Sequence, residues 1–163
     1  MFKTTLLAAG LMLTSAAAFA QDAKLPPAED NMLTVLSTCA VALGAAPALD
    51  TALTGAGWTK GETTDGETEY TAPNGAEDSY AYVSEDGTSC TVWSSTVTVQ
   101  QAQAMTQAVL EQVGVNPADV SMVQDDHGCE ALKLASGEVI SAVSSDETPV
   151  CEGGVGSQVT FLK

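Results

Sequence analysis

The chain predicts an α+β fold: an antiparallel β-sheet built from hairpins, with two to three helices packed on one face and two disulfides holding the layers together. Three observations lead there. Apolar residues recur at helical spacing in two separate stretches, each stretch is followed by strand-like runs closed by turns, and four cysteines stand behind an export-type N-terminus.

Residues 1–20 have the layout of a secretory signal peptide. Lys3 gives a charged start, Leu6 to Leu13 an apolar run, and Ala18-Phe19-Ala20 the small residues before a cleavage point. That run is well short of the roughly 18 apolar residues a membrane span needs, so no anchor is expected after cleavage. Gln21 rather than Cys follows, which does not mark a lipoprotein. Residues 21–28, with Pro26-Pro27, read as a flexible lead, and 29–163 as one disulfide-stapled α+β domain. The expected location is the periplasm or outside the cell.

The first helix is expected to open on Glu29 and Asp30, acids that suit the positive end of its dipole, and to run toward Ala46. Met32, Leu36, Cys39 and Leu43 form its apolar stripe, and Pro47 breaks it. A second helix carries Leu49 and Leu53 and stops at Gly55 and Gly57, before Trp58. Lys60 to Glu69 reads as a polar surface loop, with a short strand around Tyr70.

Tyr80 to Ser94 reads as a hairpin closed by Asp86-Gly87, a type I′ turn signal between strand-like runs. That turn sets a register in which Val83 lies opposite Cys90, Ala81 opposite Val92, Tyr80 opposite Trp93 and Tyr82 opposite Thr91. One face then holds small apolar groups and a thiol; the other holds aromatics and hydroxyls. Thr98 with Gln101 three residues later has capping-box spacing, and Ala102, Met105, Val109 and Val113 follow on one helix face until Gly114. Asn116-Pro117 marks a turn. Ala131 to Leu134 and Val139 to Val143 make a second hairpin around Ser136-Gly137, and Gln158 to Leu162 a final strand.

The even cysteine count implies two bridges in an oxidising compartment. Cys39 sits on a helix stripe that needs an apolar sheet face, and Cys90 lies on such a face, so Cys39 is expected to pair with Cys90 and Cys129 with Cys151. The order helix, hairpin, helix, hairpin hints at a duplicated unit, with Asp86-Gly87-Thr88-Ser89-Cys90 set against Asp126-His127-Gly128-Cys129.

Charge excludes several functions. The chain holds 21 acids against 5 bases, all lysine, for a formal net charge of −16. Such a chain lacks the positive field that phosphate contacts require, so no nucleic-acid partner is expected, and anionic membranes repel it. The catalytic inventory is thin: one His, no Arg, no G-x-S-x-G, no H-E-x-x-H and no C-x-x-C. The weak candidate for a metal or acid–base cluster is Asp125, Asp126, His127 and Glu130, against which stands the simpler reading of a solvated loop before a strand. No cofactor is expected. Tyr80, Tyr82, Trp93 and Trp58 are the candidate ligand- or partner-binding residues, because Tyr and Trp combine apolar area with a polar handle.

Non-enzymatic function is therefore preferred: a binding or accessory protein that meets a protein, a peptide or a small ligand. The alternatives are a small hydrolase that works with carboxylates alone and an inhibitor or immunity-like protein with a basic target.

Overall fold

The computed structural model describes residues 27–163, so the segment 1–20 expected as a signal peptide and most of the expected 21–28 lead lie outside the described residues. The chain runs through helices α1 (Pro27–Ala42) and α2 (Ala46–Gly55) into strands β1 (Thr59–Thr64), β2 (Glu67–Thr71), β3 (Ser79–Ser84) and β4 (Ser89–Ser94). Helix α3 (Val99–Gln112) follows, then β5 (Val120–Gln124), β6 (Glu130–Leu134), β7 (Val139–Val143) and β8 (Ser157–Leu162). All eight strands form one antiparallel sheet in the order β1-β2-β3-β4-β8-β7-β6-β5. With three helices and two disulfides, this is an α+β fold.

The order divides into two four-stranded meanders, each entered from a helix and joined to the other along β4 and β8, where Val92 faces Val159 and Cys90 faces Phe161. The repeat lies in the topology and not in the residues that suggested it. Asp86-Gly87 closes the last hairpin of the first meander, whereas Asp126-His127-Gly128 turns between the first two strands of the second. These positions do not correspond.

Helix α1 starts at Pro27, two residues before Glu29, since a proline costs no hydrogen bond in a first turn. It stops at Ala42 and not at Ala46. Gly44 adopts φ +86° and donates its N–H to the Gly87 carbonyl at 2.7 Å, which turns the chain before Pro47 is reached. The approach is close enough that a Cβ on Gly87 would lie 2.5 Å from the Ala46 nitrogen, so the glycine of the β3–β4 turn serves helix packing as well as turn geometry.

The register of β3 with β4 is the one the Asp86-Gly87 turn implies: Val83 with Cys90, Ala81 with Val92, Tyr80 with Trp93, Tyr82 with Thr91. Asp86 fixes that turn by accepting from the Thr88 N–H at 3.0 Å, the Thr88 hydroxyl at 2.7 Å and the Ser84 hydroxyl at 2.8 Å. Those bonds, led by the Thr88 N–H, favour the charged carboxylate and hold its pKa at about 2. A group that binds its proton less tightly when folded stabilises the fold above its unfolded pKa of about 4 and loses that contribution as pH falls through about 2. An NMR titration is expected to place the Asp86 midpoint near 2; a midpoint near 4 would show that the turn does not hold the carboxylate.

The core lies between the helices and one sheet face. Met32, Val35, Leu36 and Cys39 of α1 and Leu49 and Leu53 of α2 are fully buried against Ala81, Cys90, Val92, Val159 and Phe161. The disulfides are Cys39–Cys90, from α1 to β4, and Cys129–Cys151, from the β5–β6 turn to the long β7–β8 connection. Thr98 caps α3 with both halves of the box, accepting from the Gln101 N–H while the Gln101 amide oxygen accepts from the Thr98 N–H. Its buried stripe is Val99, Ala102, Thr106, Val109 and Leu110. Val113 lies past the last turn and is 40% exposed.

Two strands were not expected. The Lys60 to Glu69 segment, expected as a surface loop, contains all of β1 but Thr59 and the start of β2, and β5 precedes the second predicted hairpin. Both β1 and β5 are sheet edges. The β1 edge carries Lys60, Glu62, a glycine and a register irregularity, devices that discourage pairing with another chain.

Candidate functional site

All three helices of the described residues pack on the side of the sheet that carries Cys90, Val92 and Phe161, so among the described residues the other side is open. Alternation and strand pairing arrange it as three rows across the strands. One runs Glu67, Ser84, Ser89, Leu162, Val139, Lys133, Ser121. The next runs Glu69, Tyr82, Thr91, Thr160, Ser141, Ala131, Val123. The third runs Thr59, Thr71, Tyr80, Trp93, Gln158, Val143.

Three of the four aromatic candidates meet on this face. Tyr80 and Trp93 form a cross-strand pair with ring centroids 5.6 Å apart and planes tilted by 52°. Tyr82 stands two residues along β3, and all three rings are half-buried. Trp58 is elsewhere: it is 3% exposed in the core, and its backbone N–H closes the end of α2 on the Leu53 carbonyl at 3.0 Å. It belongs to the same core cluster as Leu49 and Leu53 of α2, so it offers no binding surface.

Two grooves flank the aromatic rows. One, of about 600 Å³, runs along the second meander and is lined by Val139, Ser141, Val143, Gln158, Thr160 and Leu162. At its floor the Thr91 and Thr160 hydroxyls bond across the β4–β8 junction at 3.0 Å. The other, of about 350 Å³, lies on the first meander between Glu62, Thr64, Glu67, Glu69 and Tyr82. Burial, and then the negative charge of Glu69, pushes the Tyr82 phenol above its usual pKa.

The acid–base candidates do not assemble. Asp125, Asp126 and His127 border the larger groove, but Asp125 Oδ1 accepts from the His127 N–H at 2.9 Å and the Cys129 N–H at 2.8 Å, which makes it the clasp of the β5–β6 turn. Glu130 faces the helix side, in a 170 Å³ pocket with Gln103, Thr106 and Met122 of α3 and β5. Neighbours in sequence thus point to opposite sides of the sheet, and no group of three or more potential metal ligands converges among the described residues.

On the helix side, Asp50 accepts from the Tyr70 hydroxyl at 2.8 Å and pairs with Lys60 at 3.0 Å. The Tyr70 bond, then Lys60, lowers the Asp50 pKa, while burial and Asp50 raise that of Tyr70. The other carboxyls with a clear shift, Asp86 and Glu138, are also lowered. A general acid needs the opposite shift.

Register was legible at this site because an Asp-Gly turn specifies it locally. The grooves were not, because Gln158, Thr160 and Leu162 reach the aromatic strands only through the placement of β8 beside β4. Comparison of the chain with protein-family models, with curated proteins and with solved structures finds no match.

Proposed function

We propose that this is an exported, non-catalytic binding protein, secreted or periplasmic, which meets its protein, peptide or small-ligand partner on the open face of the sheet. The observation that carries the reading is the half-buried trio Tyr80, Tyr82 and Trp93 on the side without helices, between two grooves. Aromatic rings so placed offer large contact area at low cost in side-chain entropy. Two disulfides fit an oxidising compartment, and no helix among the described residues is long and apolar enough to cross a membrane.

Affinity capture from an envelope extract tests the reading. The wild-type chain is expected to retain a partner that Tyr80→Ala and Trp93→Ala both lose, while both variants keep the wild-type circular dichroism. If every captured protein binds the variants as well as the wild type, the open face is not the binding surface.

A further inference from the structure

We infer that the partner on this face is an extended protein segment bearing arginine or lysine side chains, whose cations sit against Tyr82 and the Tyr80–Trp93 pair and are neutralised by Glu67 and Glu69. This rests on the binding reading above and adds the chemistry of the partner.

The register sets carboxylates beside the rings. Glu69 lies directly across from Tyr82, Glu67 from Ser84, and Glu62 borders the same groove from the edge strand. The raised Tyr82 phenol reports the same thing from the ring's side, since part of that shift comes from the charge of Glu69. No lysine of the described residues answers these acids. Lys60 is engaged with Asp50 on the helix side. Lys133 lies on β6, five strand spacings from β2, roughly 24 Å at the usual spacing and beyond the screening length of physiological salt. Lys163 follows β8 with its ammonium beside Gly44 in the α1–α2 turn; it and Lys133 line the larger groove, together with Asp125 and Asp126, and neither reaches the acidic groove.

A face with aromatic rings and uncompensated carboxylates complements one chemistry well. A guanidinium stacks on Trp or Tyr and forks onto a carboxylate; an ammonium makes the weaker version of both contacts. The formal net charge of −16 adds long-range attraction for a basic partner. The shape favours a chain over a small cation. The Tyr80–Trp93 pair is tilted on an open sheet and does not enclose a cage, and the two grooves lie to either side of it across the strands, one over β1 to β3 and the other over β5 to β8. An extended segment can occupy the acidic groove with a basic residue and lay smaller side chains in the Val139–Leu162 groove.

The test is calorimetric titration of the folded full chain with a hexa-arginine amide, set against a hexa-citrulline amide of the same shape without charge. The arginine peptide is expected to bind and the citrulline peptide not. Glu67→Gln with Glu69→Gln, and separately Tyr80→Ala with Trp93→Ala, should each weaken binding about tenfold or more. Glu111→Gln with Asp119→Asn removes the same charge from exposed positions at the end of α3 and before β5, and should weaken it only about twofold, through the long-range field. Equal weakening by the two charge-matched pairs would reduce the effect to net charge and overturn the inference. No binding of hexa-arginine would also overturn it. If the glutamine pair binds as the wild type does while the aromatic pair binds less, the cationic partner is refuted and the open face stands; if neither pair matters, both fall.

Discussion

Replacing Cys39 and Cys90 together by alanine is expected to destabilise the chain by about 4 kcal/mol, more than the same change at Cys129 and Cys151, expected at about 3 kcal/mol. The first bridge spans a separation of 51 residues and the second 22, and a longer loop restricts the unfolded chain more. The first also joins the two layers. Both of its sulfurs are fully buried, and their loss leaves a space between α1 and β4. Urea unfolding of the two double variants gives the comparison directly. Reduction of the native protein should show the same order in another way: Cys151 is exposed, so a mild reductant opens Cys129–Cys151 first and leaves Cys39–Cys90 intact until the chain unfolds. Mass spectrometry after thiol labelling would contradict this if both bridges opened together in the folded state.

Phe161→Ala is expected to cost about 3–5 kcal/mol, whereas Trp93→Ala, on the neighbouring strand but the opposite face, should cost only about 1 kcal/mol. Phe161 is 2% exposed, lies between Cys90 and Ile140 in the sheet, and belongs to the core beneath the helices. Removing its ring leaves a cavity that close-packed neighbours cannot fill. Trp93 loses its partner Tyr80 and some half-buried area, but water can enter where the ring stood. Thermal or urea unfolding of the two variants therefore tests which face is the core. Equal losses would mean that the face carrying Tyr80 and Trp93 is packed as tightly as the other. The binding reading would then lose its surface.

Local signals were readable where they act through near neighbours. The Thr98–Gln101 cap and the Asp86-Gly87 turn involve a few consecutive residues; the cap has the expected geometry, and the turn keeps the expected register although only Gly87 takes positive φ, so it is not the type I′ turn that the Asp-Gly pair suggests. From that turn followed the β3–β4 register, the inward face of Cys90 and its bridge to Cys39. Edge strands left weaker traces. Residues of β1 are exposed along the whole strand, so no alternation of apolar and polar residues marks it. In β5, Met122 faces the helix side but is 56% exposed, because α3 contacts β7 and β8 and leaves the edge uncovered. On α3 the expected Met105 packs partly buried against the core, whereas Val113 is exposed and Thr106 and Leu110 are buried beside Ala102 and Val109.

Trp58 and the Asp125–Glu130 segment show the same limit at the candidate site. An indole after a helix is compatible with core or surface, and the packing of the folded layers placed it in the core. Acids adjacent in sequence suggested a cluster, but a turn clasp took Asp125 and strand alternation sent Glu130 to the far side.

By itself the chain specified its helices, its central hairpin, its excess of negative charge and, through one turn, which cysteines could meet. Only the tertiary structure decided that the last strand lies at the centre of the sheet, between β4 and β7, and that three aromatic rings share an uncovered face with two grooves. The reason is that pairing between distant strands uses backbone hydrogen bonds common to nearly all residues, so their order depends on how the two layers pack and on which loops can close, which no local pattern records.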